Sequence, residues 1–407
     1  MTIADIDNEM ETRGVNGIIV LGDTTLANPD LTYVVGGSLA RGGIYFKRVR
    51  NNPLLLTSNL DIATARKYQN IKQIKTFTEL GYEKLVAKYG RENAYPQLLR
   101  TVLNQLGIQG KVVIFGRSDL ANGIHLADQL RKHGTKIVGE NTPTILESAR
   151  EIKSIEELLL IRRVGEKTSK IVNSIIESLR NFRQRRGHLY MRKRRITINT
   201  TKQLIYTALA REELIAPEGT IFASGADAAD PHNPGTPHQE LKLGKLIVFD
   251  IFPQSENGYW FDLTRTFVLG KANAKAVKAF NTVKEAQSVA IDSMTSSTSC
   301  KQVMMKACDV IERNGYDTLR KTYHGNPRAA CSGFIHSLGH GVGLTIGERP
   351  YLSLLSTEHL RASQVVTVEP GIYIPGFGGV RIEDTVAITK KGVDILAIPQ
   401  QDELEVK

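Results

Sequence analysis

The chain has 407 residues, of which 41% are apolar and 23% charged, with a formal net charge of +11; this is enough for one large or two ordinary soluble domains. Only three cysteines occur, Cys300, Cys308 and Cys331, with no CxxC pair, so neither a disulfide framework nor a thiolate zinc site is implied, which suits a reducing compartment. No apolar run approaches the length of a membrane span, and the opening MTIADIDNEMETRG is too acidic and polar for a secretory signal, so a cytoplasmic protein without a membrane partner is expected.

Residues 1–145 read as a small α/β domain. Apolar runs at Gly17–Gly22, Ile44–Phe46, Pro53–Leu56 and Lys111–Gly116 have strand character, and helical patterns over 61–69 and 95–106 separate some of them. Gly36-Gly37 and Gly42-Gly43 mark turns. There is neither a Walker loop nor a GxGxxG, so a nucleotide site is not expected, and the domain reads as scaffold or lid.

A shift in composition follows Thr142-Pro143. A charged amphipathic helix is predicted over 152–182 and another over 202–214, with a strand at Thr220–Ala223 leading into the loop Ser224–Gly235, which carries His232. Between the two helices lies a basic run, Arg180–Arg195. It reads as a solvated helix end or loop, the other reading being a surface for an acidic protein, RNA or membrane. No groove-reading or RNA-stacking motif accompanies it, and nucleic acid is not an expected partner.

The sequence KLIVFDIFPQSENGYWFDLTRTFVLG, Lys245–Gly270, reads as a β-hairpin with Asn257-Gly258 as its turn signal. Strand periodicity puts Trp260, Asp262 and Thr264 on one face, and a hairpin centred near Glu256 sets Asp250 opposite Asp262 on that face. Facing carboxylates repel more strongly as they are buried, so something positive belongs between them, a metal ion or the nearby Arg265. Helices over 272–294 and 300–314 follow, then strands near 365–368, 379–382 and 386–388. Helices and mostly antiparallel strands around one core make the second part, 146–407, an α+β domain.

Three further segments hold polar residues in apolar settings. Phe334–Leu344 carries His336 and His340 among glycines, Val365–Gly371 ends a strand at Glu369, and Gly379–Thr385 sets Arg381 and Glu383 on one strand face. Singly, a buried glutamate is explained by pairing with Arg381 or Arg265, and a histidine by a satisfied place in the core. Together, Asp250, Asp262, Glu369, Glu383 and His340 suit a pair of divalent ions such as Mn, Co, Zn or Fe, held roughly 3.5–4 Å apart.

The texts DxxxxxxNGYxxDLTRT, HSLGHGVG, VEPGIY and VRIED resemble the pita-bread metallopeptidases: methionine aminopeptidase, aminopeptidase P, prolidase and the metal-free relative creatinase. The likeness covers roughly residues 145–400, residues 1–145 are similar to the creatinase-type N-terminal domain, and the wording HSLGHG is nearest to the Xaa-Pro peptidases. The resemblance implies two divalent ions, with Asp250 chelating one, Asp262 and Glu383 bridging, and His340 and Glu369 binding the other. It implies hydrolysis of an Xaa-Pro bond by a metal-bridged hydroxide, with Glu369 also as general base, His232 and His336 on the substrate side, and Arg381 holding the ligand carboxylates. Thr264 would support Asp262. The implied partners are a peptide or dipeptide with proline second and another copy in a homodimer.

Two positions depart from the family pattern. The hairpin holds one residue more between its aspartates than the commonest form, and Gly347 stands where Xaa-Pro peptidases usually have a histidine, seven residues after His340. Glu348 and Pro350 remain in register. Losing an imidazole donor beside the metals costs about 10²–10³ in rate where it serves an oxyanion. Gly347 keeps two other readings open, a same-fold hydrolase or lyase acting on a small non-peptide metabolite and a non-catalytic binding protein.

Overall fold

The computed structural model describes residues 3–22, 28–37, 42–68, 70–323, 331–400 and 402–406. It divides into two compact units, Met1–Arg150 with Glu256–Gly258, and Glu151–Ser255 with Tyr259–Lys407. No helix among the described residues is long and apolar enough to cross a membrane.

The first unit is built on a mixed six-stranded sheet. Its strands are β1 (Gly17–Leu21), β2 (Gly43–Arg48), β3 (Leu54–Thr57), β4 (Gln73–Thr76), β5 (Lys111–Gly116) and β6 (Lys136–Val138), in the spatial order β4-β3-β2-β1-β5-β6. β1 is buried throughout because it is covered on both faces, which is why GIIVL reads as a continuous apolar run rather than an alternation. Four strands fall where the apolar runs predict them. β4 and β6 escape the pattern because QIKT and KIV are short and carry exposed lysines. The helix predicted over 95–106 is the second half of Tyr82–Gln105, which bends at Gly90. That predicted over 61–69 shortens to one turn, Ile62–Ala65, and Gln69 lies outside the described residues.

The second unit opens with the long helix Ile155–Arg180, started by a reciprocal capping box between Ser154 and Glu157. Its apolar stripe, from Ile161 through Val172 to Leu179, is buried. Strands β7 (Arg183–Arg185), β8 (His188–Met191) and β9 (Arg194–Arg195) form a small antiparallel meander. Beyond Arg180, the last residue of the helix, most of the basic run is therefore strand: Leu189, fully buried, anchors the middle strand and turns the run into a sheet. The helix predicted over 202–214 begins earlier, at Ile198, capped by Thr197.

β10 (Leu214–Ile215), β11 (Ile221–Ser224), β12 (Leu246–Ile251), β13 (Gln254–Ser255) and β14 (Leu263–Leu269) follow. The hairpin exists, but its register differs from the expected one. Gln254 bridges Trp260 and Asp250 pairs with Thr264, so the hairpin is centred on Asn257 rather than Glu256. Gly258 absorbs the extra residue at a φ of 85°, where glycine is unstrained. Asp262 consequently sits just before β14, diagonal to Asp250 instead of opposite it.

The remaining strands are β15 (Gly339–Val342), β16 (Ile346–Leu352), β17 (Val365–Val368), β18 (Gly371–Ile374), β19 (Gly378–Arg381), β20 (Asp384–Ile388), β21 (Val393–Ile395) and β22 (Glu405–Val406). One sheet runs β11-β12-β14-β22 and another β16-β15-β17-β20-β21, with β18-β19 as a separate pair. Helices Ala274–Asp292 and Cys300–Arg313 bury Phe280, Val283, Val303 and Met304 in the core that also takes Val366, Val368, Ile372 and Val380.

Glycines on either side of His340 let β15 lie close to its neighbours. A Cβ on Gly339 would stand 2.0 Å from the Thr367 carbonyl oxygen, and one on Gly341 2.2 Å from that of Arg349. Both contacts are with backbone and cannot be relieved by a rotamer change. Gly339→Ala is expected to lower the melting temperature and the divalent-metal content of the purified protein together; a variant with wild-type melting and metal content would contradict this packing.

Candidate metal centre

The sheet geometry delivers each candidate side chain to one cleft of about 480 Å³. Asp250 comes from the end of β12, Asp262 from the approach to β14, and His340 from β15. Glu369 follows β17 directly, its N–H bonded to the Leu338 carbonyl at 2.8 Å. Glu383 sits between β19 and β20 and bridges Thr264 on β14. Asp250, Asp262, His232, His336, His340, Glu369, Arg381, Glu383 and Gly347 all line this one cavity. Thr264 and Arg265, also singled out in the sequence, do not line it.

The imidazole Nε2 of His340 is 3.5 Å from both Asp262 Oδ2 and Glu369 Oε1. Asp262, His340 and Glu383 each offer a ligand atom, all within 4.8 Å of one another, and so form a group that could hold a metal ion. Among the described residues, Asp250 Oδ1, Asp262 Oδ1 and Glu383 Oε1 are buried without a hydrogen-bond partner. Orphaned buried carboxylate oxygens are costly in an otherwise satisfied core. A set of hard oxygens with one imidazole fits a divalent cation of the borderline class.

The charge balance points the same way. Burial lifts the Asp250 carboxyl to about 6 against the pull of Arg381, and the Asp262 charge adds to the rise. Burial likewise raises Asp262 and Glu369, and raises Glu383 well above its ordinary range, with neighbouring carboxylates reinforcing the last. His340 loses by burial but is carried up to about 9 by Asp262 and Glu369. Without a cation the cluster retains protons.

The positive partners differ from those expected. Arg265 does not lie between the aspartates; it pairs with Asp384 at 2.7 Å and donates to the Glu383 carbonyl. Arg381 is the cation at the cleft, and of the candidate ligand carboxylates it pairs with Asp250, at 2.5 Å. Its Nε donates to Thr264 Oγ1, and Thr264 in turn donates to Glu383 Oε2 at 2.6 Å, so Thr264 supports Glu383 and not Asp262.

Two contributors were not read from the sequence. Thr367 Oγ1 accepts the His340 N–H at 3.1 Å and donates to Glu369 Oε1 at 3.2 Å, tying two candidate ligands together. Its signal is a hydroxyl two residues before Glu369 in an apolar strand, on the same face. Tyr373 has its hydroxyl 2.7 Å from Arg381 Nη1, which donates to it, and 2.9 Å from His336 Nε2. His336 Nδ1 lies 2.7 Å from the Ser337 carbonyl, which requires Nδ1–H and leaves Nε2 to accept from Tyr373. Burial, with Arg381 nearby, pushes the His336 imidazolium down to about 3, so the ring is neutral. In this arrangement His336 has no spare N–H, and donating to an oxyanion from Nε2 requires the ring to move its proton there and give up the Nδ1–H bond to the Ser337 carbonyl. His232 is exposed at the cleft.

Gly347 has a φ of 76°, and nothing lies within 4 Å of a Cβ placed there. Its N–H is 3.2 Å from His340 Nδ1, and its carbonyl accepts from the Tyr351 hydroxyl at 2.6 Å. The neighbouring Glu348 is held by the buried Lys153, 2.5 Å away.

The fold and the cleft define a pita-bread metallohydrolase, with a smaller α/β domain preceding the α+β catalytic one. The profile of metallopeptidase family M24 matches residues 160–390, more than half of the chain. The chain belongs to this family, a family of metal-dependent peptidases. It is 29% identical to the Xaa-Pro dipeptidase of Pyrococcus horikoshii over 94% of this chain and 93% of that one. It is 32% identical to the Xaa-Pro dipeptidase of Pyrococcus furiosus over 63% and 66%. The crystal structure of the Pyrococcus horikoshii prolidase superposes with a TM-score of 0.73 at 26% identity, covering 98% of each chain. The X-Pro aminopeptidase of Thermotoga maritima shares the fold at 22% identity, with a TM-score of 0.76 and coverage of 98% and 99%.

The folded-state carboxyls lie above their unfolded values, so the metal-free fold binds more protons than the unfolded chain. Their contribution to stability is complete below the ordinary carboxyl range of about 4 and is lost as pH rises through about 6 and beyond. The melting temperature of chelator-treated protein is expected to fall from pH 5 to 8, and added divalent metal to remove or reverse the trend, because binding releases protons. A rise over that range without metal would contradict the arrangement. Glu383→Gln, which mimics the protonated acid, should keep metal-free stability within about 1 kcal/mol while abolishing stabilisation by metal.

Proposed function

We propose that this protein is a metal-dependent exopeptidase that hydrolyses the Xaa-Pro bond of a dipeptide or of a peptide with proline at its second position. The observation that carries the reading is the convergence of Asp250, Asp262, His340, Glu369 and Glu383 on one cleft, in a chain that aligns along 94% of its length with an Xaa-Pro dipeptidase. We assign residues 1–145 to a creatinase-like N-terminal domain and 146–407 to the catalytic domain. Cysteine usage and the family resemblance support a cytoplasmic homodimer.

Asp250, Asp262, His340, Glu369 and Glu383 would hold two divalent ions, drawn from Mn, Co, Zn or Fe according to availability. Bound there, the ions would polarise the scissile carbonyl and lower the pKa of an attacking water. The chain's own residues do the rest. Glu369 takes the proton of that water on its carboxylate and returns it to the leaving nitrogen of proline. Arg381 fixes Asp250 by its ion pair and, through Thr264, the orientation of Glu383, which is a positioning role. His232 and His336 face the substrate, and Tyr373 couples His336 to Arg381 so that the cleft's hydrogen bonds are set before substrate arrives.

The test is hydrolysis of matched Ala-Pro, Ala-Pro-Ala and Ala-Ala with Mn or Co supplied. Cleavage confined to Ala-Pro defines a dipeptidase and preference for Ala-Pro-Ala an aminopeptidase, whereas metal-loaded protein that cleaves none of the three would overturn the reading. Glu369→Gln should abolish turnover while much of the metal stays bound; near-normal activity would remove Glu369 from the proton-transfer role. Tyr373→Phe breaks a hydrogen bond to a charged group and should lower kcat by about tenfold or more, with metal content kept; unchanged kcat would show the Arg381–Tyr373–His336 linkage to be idle.

A further inference from the structure

The meander β7-β8-β9 presents a face whose composition the peptidase reaction does not use. Leu189 is fully buried on the inner side of β8, so His188 and Tyr190 share the opposite face by strand alternation, each partly exposed, the His188 side chain by 17%. Arg183 and Arg195 pair with Tyr190 from either side, giving a row Arg183–Tyr190–Arg195 across the sheet. Arg185 and Lys242 flank His188 in the same way, giving a second row Arg185–His188–Lys242. Each row is a ring between two cations, and the rows stand two residues apart, about 6.6–7 Å. Arg186, Arg192 and Lys193 add charge at the two turns.

At this face Glu240 pairs with Arg195 at 2.8 Å and lies 3.2 Å from His188 Nδ1. Among the described residues, Arg183, Arg185, Arg186, Arg192, Lys193, Arg194 and Lys242 form no ion pair. Arg186 and Arg192 moreover occupy the first position of their two-residue turns at φ values of 49° and 58°. Glycine or asparagine fits such positions without strain. The chain therefore keeps arginine where arginine is unfavourable locally and gains no intramolecular partner from it.

We infer that this face binds single-stranded nucleic acid, with Tyr190 and His188 stacking on bases and the flanking arginines and Lys242 tracking the phosphates. Rings with π-faces between rows of cations suit a flexible strand of bases and phosphates. An anionic bilayer would use the charges but not the rings. The inference is independent of the peptidase reading.

Full-length protein is titrated against a fluorescein-labelled 20-nucleotide oligo(U) by anisotropy at several salt concentrations, with an abasic strand of equal length and phosphatidylserine vesicles as comparisons. Binding should weaken with salt with a logarithmic slope of about −3.5 to −4, as for five or six phosphate contacts. Arg183→Glu with Arg185→Glu should weaken it tenfold or more, whereas Lys72→Glu with Lys75→Glu, an equal change of net charge on the other unit, should not. Tyr190→Ala should weaken oligo(U) by about tenfold and leave the abasic strand unaffected. Arg186→Asn and Arg192→Asn should weaken binding without lowering the melting temperature, which separates a binding role from a structural one. The inference is overturned if both double variants lose affinity equally, if Tyr190→Ala changes nothing, if the vesicles bind more tightly than oligo(U), or if no binding occurs at low salt.

Discussion

Four carboxylates share one buried cleft with a single arginine and a single raised imidazole, and that imbalance of charge governs the rest of the molecule. Unlike charges at close range in a desolvated site attract strongly, and like charges repel as strongly. Arg381 neutralises Asp250 and His340 lies against Asp262 and Glu369, yet oxygens of Asp250, Asp262 and Glu383 remain buried without partners. Protonation relieves the repulsion in part. A divalent cation relieves it fully and satisfies the same oxygens, which is why a site that is expensive to fold is one that binds metal well.

The scaffold exists to hold that arrangement still. Asp250 and His340 lie within strands β12 and β15, and Asp262, Glu369 and Glu383 lie immediately beside the ends of β14, β17 and β20, rather than on long loops. Glycines at 339 and 341 allow β15 to approach within a distance no side chain permits. A web of short hydrogen bonds through Thr264, Thr367 and Tyr373 then orients the charged groups. Sites on paired strands with locked neighbours keep their geometry to the tolerance that hydrolysis demands.

Much of this was legible in the sequence. Asp250, Asp262, His340, Glu369 and Glu383 stand out because each is a ligand-type residue in an apolar stretch, and a pattern that violates burial rules marks function. The relation among strands was less legible. The hairpin centre lies one residue later than the expected Glu256, on Asn257, because a turn signal locates the bend without fixing the pairing register. Arg265 and Arg381 could not be told apart, since which arginine faces the cleft depends on the pairing of β14 with distant strands. Thr367 and Tyr373 carried no signal strong enough to separate them from ordinary strand residues. The basic run misled for a different reason: its charge obscured the alternation of Leu189 with His188 and Tyr190 that makes it a sheet.

The claim that the cleft is a proton-holding cluster awaiting a cation is tested most directly by calorimetric titration of chelator-treated protein with Mn²⁺ near pH 7, repeated in two buffers of different ionisation enthalpy. Saturable binding of about two ions per chain, with heats that differ between buffers because protons leave as metal enters, is the predicted result. Absence of binding, or binding with identical heats in both buffers, would contradict it.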